Sequence, residues 1–143
     1  MKEGDAELIL GDRFSDPRGT LEFFNSLDLQ GVKRVYFISH NDTINVRAWQ
    51  GHKSESKWFH VVNGSFKIVL VKPDNWDFPS EELDATAYSL TENDCTVLKV
   101  PGGYATGIKA MTANSKLMVF SNFTLAQSNL DDFRFDRNNW YKW

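Results

Sequence analysis

The sequence predicts an all-β protein, an antiparallel sandwich or barrel of many short strands. Short segments rich in Val, Ile, Phe, Tyr and Thr recur along the chain, as expected of strands with one buried face. Turns containing Gly, Pro and Asn separate these segments, and helical periodicity is weak throughout. No segment has the pattern of a βαβ unit or a glycine-rich phosphate loop, so a dinucleotide-binding fold is excluded.

Nine segments have the composition of strands: 8–10, 20–25, 33–39, 44–49, 57–63, 65–71, 85–89, 96–100 and 116–123. Asn63-Gly64 lies between two apolar segments and predicts a two-residue hairpin turn. After it, Phe66, Ile68 and Leu70 alternate with other residues, which predicts one buried face. Sharp turns are predicted at 16–19 and 101–103, a surface loop at 72–82, and single helical turns at 80–83 and 128–133.

Composition limits the class of protein. The chain has 143 residues with 41% hydrophobic residues, which predicts one globular domain spanning 1–143 and excludes disorder. A net charge of −3 argues against a nucleic-acid coat protein but allows a small basic pocket. The N-terminal residues have no apolar core of a signal peptide, no segment could span a membrane, and a single cysteine, Cys95, favours a reduced, cytoplasmic setting.

Two polar residues of one predicted strand are candidates for a site. Arg47 lies among apolar residues, and an inward arginine needs an anionic partner. That partner could be a sugar diphosphate, a keto oxygen or the carboxylate of Glu55. His52 follows Gly51 at the end of the strand; it is either a catalytic base or a surface imidazole.

Four segments in order, 16–19 with 21–23 and 32–38, then 47–53, 57–64 and 100–107, resemble the RmlC-like small cupins that act on nucleotide-linked 4-keto-6-deoxy sugars. The resemblance extends from about residue 16 to the C-terminus. It implies a single-domain jelly-roll β-sandwich that forms a homodimer. It also implies a site inside the barrel for a dTDP- or UDP-linked sugar, and no metal or other cofactor.

The resemblance implies an isomerase that moves a proton next to a ketone, as dTDP-4-dehydrorhamnose 3,5-epimerases do in cell-surface polysaccharide biosynthesis. Such chemistry needs a base, a group that stabilises the enolate oxygen and an acid. Matching positions give His52, Lys57 and Tyr36 as catalytic residues. The substrate-binding residues would be Arg47, Arg18, Gln50, Tyr104 and Thr106. Asp136, in the tail, would orient a catalytic His or Tyr, unless it is only an acidic turn residue.

The chain departs from the family pattern at three positions. Gln50 stands where the family has a first histidine, Thr106 where it has a later histidine, and Phe123 where the epimerases have a tyrosine. Two alternatives therefore stand beside the epimerase. One is a 3,4-ketoisomerase of dTDP-4-keto-6-deoxyglucose, and the other is a cupin that binds a sugar nucleotide without converting it. A metal-dependent cupin oxygenase is a third, although His52 with Glu55 supplies few metal ligands.

Overall fold

The computed structural model describes residues 4–143, which form twelve strands and one short helix. In chain order the elements are β1 Glu7–Leu10, β2 Asp12–Asp16, β3 Gly19–Phe23, β4 Arg34–His40, β5 Val46–His52, β6 Lys57–Asn63, β7 Ser65–Val71, β8 Ala85–Thr91, β9 Thr96–Val100, β10 Tyr104–Ala110, β11 Ser115–Ser121, α1 Leu125–Asn129 and β12 Phe133–Arg134. About 50% of the protein is strand and 4% is helix.

The strands form a jelly-roll sandwich of two antiparallel sheets. The first sheet has the order β1-β9-β6-β11-β4, and the second has the order β12-β5-β10-β7-β8. Strands β2 and β3 form a separate hairpin, whose turn is the one predicted at 16–19. From β4 onward, successive strands lie in different sheets except for β7 and β8, which pair with each other, so most strands pair with a strand distant in the sequence. The predicted all-β fold class is confirmed.

The core lies between the two sheets. From the second sheet, Phe66, Ile68 and Leu70 point into it, as the alternation in β7 predicts. From the first sheet, Phe59 and Leu117 meet them at 2% and 0% exposure. Burial of each such side chain contributes roughly 1.5–3 kcal/mol, so this layer is the main reason that the sheets stay together.

A second apolar layer covers the outer face of the second sheet. Trp49, Val69, Val71 and Ala105 are buried there beneath aromatic residues of the tail, namely Phe135, Trp140, Tyr141 and Trp143. The indole Nε1 of Trp49 donates to the Asn139 carbonyl at 3.1 Å. β7 is therefore buried on both faces, which explains why Val69 and Val71 are apolar as well as the inward residues.

The predicted hairpin at Asn63-Gly64 is wrong, although a sharp turn is present. β6 and β7 belong to different sheets, so Gly64 is a corner at which the chain crosses the sandwich. Its φ of 76° lies in the region that side chains disfavour. A Cβ there would also overlap Ser115, whose Oγ would lie 2.1 Å away. Two apolar segments flanking Asn-Gly predict a turn, but not which strands pair.

Strands β2, β10 and β12 were not predicted from composition, and both predicted helical turns are misplaced. The helix runs from Leu125 to Asn129 and is capped at Thr124. The Thr124 side chain accepts from the backbone N–H of Gln127, and the Gln127 side chain accepts from the backbone N–H of Thr124. This is a capping box. None of the helices among residues 4–143 is long and apolar enough to cross a membrane.

Candidate functional site

A cavity of about 330 Å³ opens between the two sheets, a size within the range of small-molecule sites. Aliphatic and aromatic side chains form much of its wall. The polar side chains that line it come from both sheets and are Tyr36, Arg47, Gln50, His52, Lys57, Thr106 and Arg134. The cavity therefore combines an apolar wall with convergent cationic and proton-carrying groups.

A bulge in β5 brings three of these residues to the same face. Gln50 pairs with Thr106 and Arg47 pairs with Ile108, so Ala48 and Trp49 together oppose the single residue between Thr106 and Ile108. In a regular strand, residues 47 and 50 would point to opposite faces. The extra residue of the bulge shifts the alternation of side chains by one position. As a result Arg47, Gln50 and His52 all face the cavity.

His52 is held in a defined tautomer. Its side chain is buried, and its Nδ1 lies 2.6 Å from the carbonyl oxygen of Asp131. A carbonyl only accepts, so Nδ1 carries the hydrogen and Nε2 has the lone pair. Within residues 4–143, Nε2 has no hydrogen-bond partner. The imidazole thus presents an unoccupied basic nitrogen in the buried part of the site.

Burial lowers the pKa of His52 below its ordinary value, and the nearby Lys57 cation lowers it further. The bond to the Asp131 carbonyl and the charges of Glu55 and Asp131 act in the opposite direction. The net effect keeps the ring neutral near pH 7, which is the state that a general base requires.

Asp131 fixes the loop that joins His52 to β6. Its carboxylate accepts from the backbone N–H groups of Lys53, Ser54 and Glu55 at 2.7, 2.9 and 2.8 Å. The same residue supplies the carbonyl that orients His52. Asp131 therefore fixes both the conformation of the loop and the orientation of the His52 ring.

Glu55 is the centre of a buried polar cluster. Its carboxylate lies 3.3 Å from Arg34 Nη2, 3.9 Å from Lys57 Nζ and 3.4 Å from His52 Nδ1. The cation of Lys57 lies 5.6 Å from the centre of the Tyr36 ring, and that of Arg34 lies 5.0 Å from the same ring. Lys57 is thereby held at the wall of the cavity, beside the phenol.

Arginines stand at the mouth of the cavity. Arg47 is exposed and lines the opening, and within residues 4–143 it forms no salt bridge. The alternative in which Glu55 pairs with Arg47 is therefore wrong, since Glu55 pairs with Arg34 instead. Arg134 is held by Asp132, which also accepts from Gln50 Nε2 at 3.2 Å.

The structure brings most of the predicted site residues together, with two exceptions. Arg18 lies in the β2–β3 turn, with 87% of its side chain exposed, and it pairs with Asp16. Tyr104 lies outside the cavity lining, and its hydroxyl accepts from the backbone N–H of Ala6 at 3.1 Å. Arg18 and Tyr104, which were predicted to bind substrate, therefore do not line the cavity within this chain.

The structure places a second histidine, His60, and the tail residue Asp136 outside the cavity lining. His60 lies on the outer side of the first sheet, where its ring packs edge-on against Phe24 and its Nδ1 bonds to the Thr96 carbonyl. Asp136 accepts from the backbone of Asn138 within a turn, which is the acidic-turn alternative. The His52 ring is oriented instead by the carbonyl of Asp131, five residues before Asp136.

Sequence analysis missed Arg34, Arg134 and Asp131 as site residues and treated Glu55 only as a possible ion-pair partner or metal ligand. The hydrogen bond between His52 and Asp131 joins residues 79 positions apart, so no local spacing reveals it. Among residues 4–143, no group of three or more His, Cys, Asp or Glu side chains is arranged to hold a metal ion.

A larger but shallow groove of about 770 Å³ lies between the 81–84 loop and the tail. It is lined by carboxylates of the loop and by Trp140, Tyr141 and neighbouring polar residues. The groups that can carry a proton beside an apolar wall are those of the smaller cavity, so the chemistry is assigned there.

No family model matches the chain, and no curated protein matches it by sequence. Solved structures do resemble it. The sugar 3,4-ketoisomerase QdtA from Thermoanaerobacterium thermosaccharolyticum, in complex with TDP, is 22% identical over 94% of this chain and 90% of that chain, with a TM-score of 0.71.

Two other solved structures are similar to the same extent. The dTDP-4-dehydrorhamnose 3,5-epimerase of Bacillus anthracis str. Ames, with TDP and PPi bound, is 20% identical over 94% of this chain and 80% of that chain (TM-score 0.72). A dTDP sugar isomerase from Desulfovibrio desulfuricans G20 is 18% identical, with coverages of 95% and 86% (TM-score 0.73). The fold implied by the sequence resemblance, that of the RmlC-like cupins, is confirmed.

Proposed function

We propose that this protein is a nucleotide-sugar isomerase or epimerase that transfers a proton next to a ketone. The observation that supports it most directly is His52, whose Nδ1 is tied to a carbonyl while its Nε2 is buried without a partner. The ligands named for similar solved structures include TDP and TDP-4-keto-6-deoxyglucose, and the arginines that line this cavity could pair with the diphosphate of such a ligand. A jelly-roll cavity that holds an aligned neutral base is suited to abstracting a proton from carbon.

In this mechanism His52 Nε2 removes a proton from the carbon beside the ketone. The C–H electron pair moves toward the ketone oxygen, which becomes an enolate. Lys57 is the cation at the cavity wall that stabilises this oxygen. Tyr36 supplies a hydroxyl for the second proton transfer.

Two kinds of residue hold the substrate in this proposal. Arg47 and Arg134, at the mouth, bind the diphosphate, because planar guanidinium groups bind phosphate oxygens through paired hydrogen bonds. Gln50 and Thr106 face each other in register on β5 and β10. Their amide and hydroxyl groups bind sugar hydroxyls in the cavity.

A sugar-nucleotide-binding cupin without catalytic activity is the second candidate. It is favoured by Gln50 and Thr106, which line the cavity and have no ionisable group with which to move a proton. In that case the cavity binds the same ligand, and His52 contributes only hydrogen bonds.

The test is proton NMR of dTDP-4-keto-6-deoxyglucose in D₂O with the protein, followed at C3 and C5 and repeated with the UDP analogue. Exchange at both carbons indicates a 3,5-epimerase. Exchange at C3 alone indicates single-site epimerisation or a 3,4-ketone shift, which the product spectrum distinguishes. Binding without exchange at either carbon contradicts the isomerase proposal and supports the binding protein.

The first prediction is that His52→Gln lowers the exchange rate by at least ~10²-fold, the contribution typical of a positioned general base. His60→Gln is the matched control, because His60 lies on the outer face of the first sheet. It should leave the rate unchanged. Equal loss in both variants would mean that the rate reports protein stability and not the base.

We further infer a homodimer and a role in cell-surface polysaccharide biosynthesis in the cytoplasm. The dimer is supported by an apolar stripe on the outer face of the first sheet. Val35 and Phe37 are 50% and 55% exposed there, and they pair in register with Phe120 and Met118 of β11. The cytoplasmic setting rests on the single cysteine, Cys95, which is free and buried.

A further inference from the structure

We propose that the buried carboxylate of Glu55 is a positioning residue of this site. It holds Lys57 at the cavity wall and stabilises the positive charge that His52 acquires on accepting a proton. This inference rests on the proposed function, because it assigns Glu55 a role in the proton transfer proposed for His52. The inference depends on the burial of the carboxylate, on its partners and on its distance from the ring.

The carboxylate is enclosed and its partners are donors. Glu55 is 1% exposed. Its Oε1 accepts from Ser128 Oγ at 2.7 Å, and its Oε2 accepts from Ser121 Oγ at 2.6 Å and lies 3.3 Å from Arg34 Nη2. A carboxylate removed from water is costly unless donors and cations satisfy its oxygens, so a site that supplies them all is built to keep a negative charge there.

That charge lies beside the ring nitrogen that His52 does not use for catalysis. Glu55 Oε1 is 3.4 Å from His52 Nδ1, and no other carboxylate of residues 4–143 forms an ion pair with this ring. The Asp131 carboxylate is occupied by three backbone N–H groups. At such a distance in a poorly hydrated site, an anion stabilises an adjacent cation substantially.

The charge balance of the cluster shows why this anion matters. The charged groups around the ring are Lys57 on β6, Glu55 in the loop before it, and Asp131 and Asp132 in the segment between α1 and β12. When His52 Nε2 accepts the substrate proton, the C–H electron pair passes to the enolate and the ring becomes a second cation beside Lys57. Without Glu55 these two positive charges would repel each other with less compensation.

The same carboxylate restrains Lys57. Its Oε2 lies 3.9 Å from Lys57 Nζ, in a place where the ammonium also approaches the Tyr36 ring. A lysine side chain has several freely rotating bonds, so an anion beside the ammonium limits the positions that the ammonium can take. Glu55 thus acts on the base, His52, and on Lys57, the cation that stabilises the enolate oxygen, without lining the cavity itself.

The experiment compares Glu55→Gln with the wild type in two measurements. The first follows the His52 Cε1 proton by NMR against pH, in the protein without substrate. The pKa of His52 should fall, because the stabilising anion is lost while the neutral ring is unaffected. The second follows the pH dependence of exchange into dTDP-4-keto-6-deoxyglucose, whose acid limb should move to lower pH.

The maximal exchange rate of Glu55→Gln should fall roughly 10- to 100-fold, as a part of the general-base contribution is lost. Glu82→Gln is the matched control, since Glu82 is exposed in a surface loop, and it should change neither measurement. If Glu55→Gln does not fold, Glu55→Asp takes its place. It keeps the charge but withdraws it by one methylene, and it should lower the pKa of His52 by a smaller amount.

A folded Glu55→Gln variant in which His52 titrates at the wild-type pH would overturn the inference. So would a rate that falls equally at every pH with the acid limb in place, because that pattern indicates only a structural defect. Failure of the proposed function has a different signature. In that case the wild type exchanges no substrate proton at any pH, while the NMR titration still reports whether Glu55 acts on His52.

Discussion

At the scale of single residues, two buried histidines are kept neutral by the fold. One is His52, which is buried and whose Nε2 has no hydrogen-bond partner among residues 4–143. His40 ends β4, where its ring packs edge-on against Phe66 and, among residues 4–143, its Nδ1 has no partner. Burial lowers the pKa of His40, and the Arg47 charge lowers it further. Asn41 and Asp42 follow His40 in the sequence, and such polar neighbours give no local sign that the ring is buried.

We predict from these two groups that acid destabilises the protein before its carboxylates protonate. Between the lowered pKa values in the folded state and about 6.5 in the unfolded state, the unfolded chain binds more protons. The free energy of unfolding therefore falls as pH falls through this window. Urea unfolding at pH 7.5 and 5.5 measures the loss.

The variants His40→Gln and His52→Gln provide the check on that prediction. Each should lose less stability than the wild type between the two pH values, because one of the two titrating groups has been removed. A loss as large as that of the wild type in both variants would assign the pH dependence to other groups.

At the scale of elements, Asp131 connects the segment after α1 to the loop between β5 and β6. We predict that Asp131→Ala lowers the free energy of unfolding by about 2–4 kcal/mol, because three N–H groups lose a charged acceptor. Asp136→Ala, which removes one local turn bond, should cost under ~1 kcal/mol. Chemical denaturation of both variants would test this, and equal costs would contradict it.

Gly107 in β10 determines how closely the tail can pack on the second sheet. A Cβ there would lie 2.5 Å from Trp143 Cζ2 and 2.9 Å from Trp49 Cζ3. We predict that Gly107→Ala costs about 1–3 kcal/mol through overpacking and shifts tryptophan fluorescence to the red. In the double variant Gly107→Ala/Trp143→Ala, the loss of stability should be smaller than the sum of the two single losses, because the overlap with Trp143 is removed. Strictly additive losses would rule out this contact.

The same strand shows what the sequence could predict and what it could not. Strands such as β6 and β7 were predicted because their own residues favour a pleated, half-buried surface. β10 was missed because a glycine and two alanines weaken that local pattern, while its burial comes from distant aromatic residues. Pairing was not predictable either, since Gly64 turns the chain into the other sheet.

The residues of the candidate site were also predicted only in part. His52 and Lys57 were found because they match a motif in one continuous stretch. Asp131 was missed because it meets the His52 loop only through the fold. Tyr104 was placed by its motif position, yet its hydroxyl points to Ala6.

At the scale of the whole molecule, the proposed dimer gives a direct prediction. Phe37→Glu should convert a dimer into a monomer in sedimentation, because it places a charge in the apolar stripe on the first sheet. Phe78→Glu is the matched control, as Phe78 is 88% exposed in a loop away from that sheet. A wild type that sediments as a monomer would contradict the dimer itself.

The alternation of strands between the two sheets has a consequence for how the chain acquires its structure. β5 pairs with β10, and β4 pairs with β11, across intervening segments of more than fifty residues, and the entropy lost in closing a loop grows with its length. Such topologies fold slowly, in roughly milliseconds to seconds, because entropy is lost before distant contacts form. His52 and Tyr36 lie on strands of different sheets, so the pairing of strands within one sheet does not bring them together. The proton-transfer groups meet only where the two sheets pack against each other.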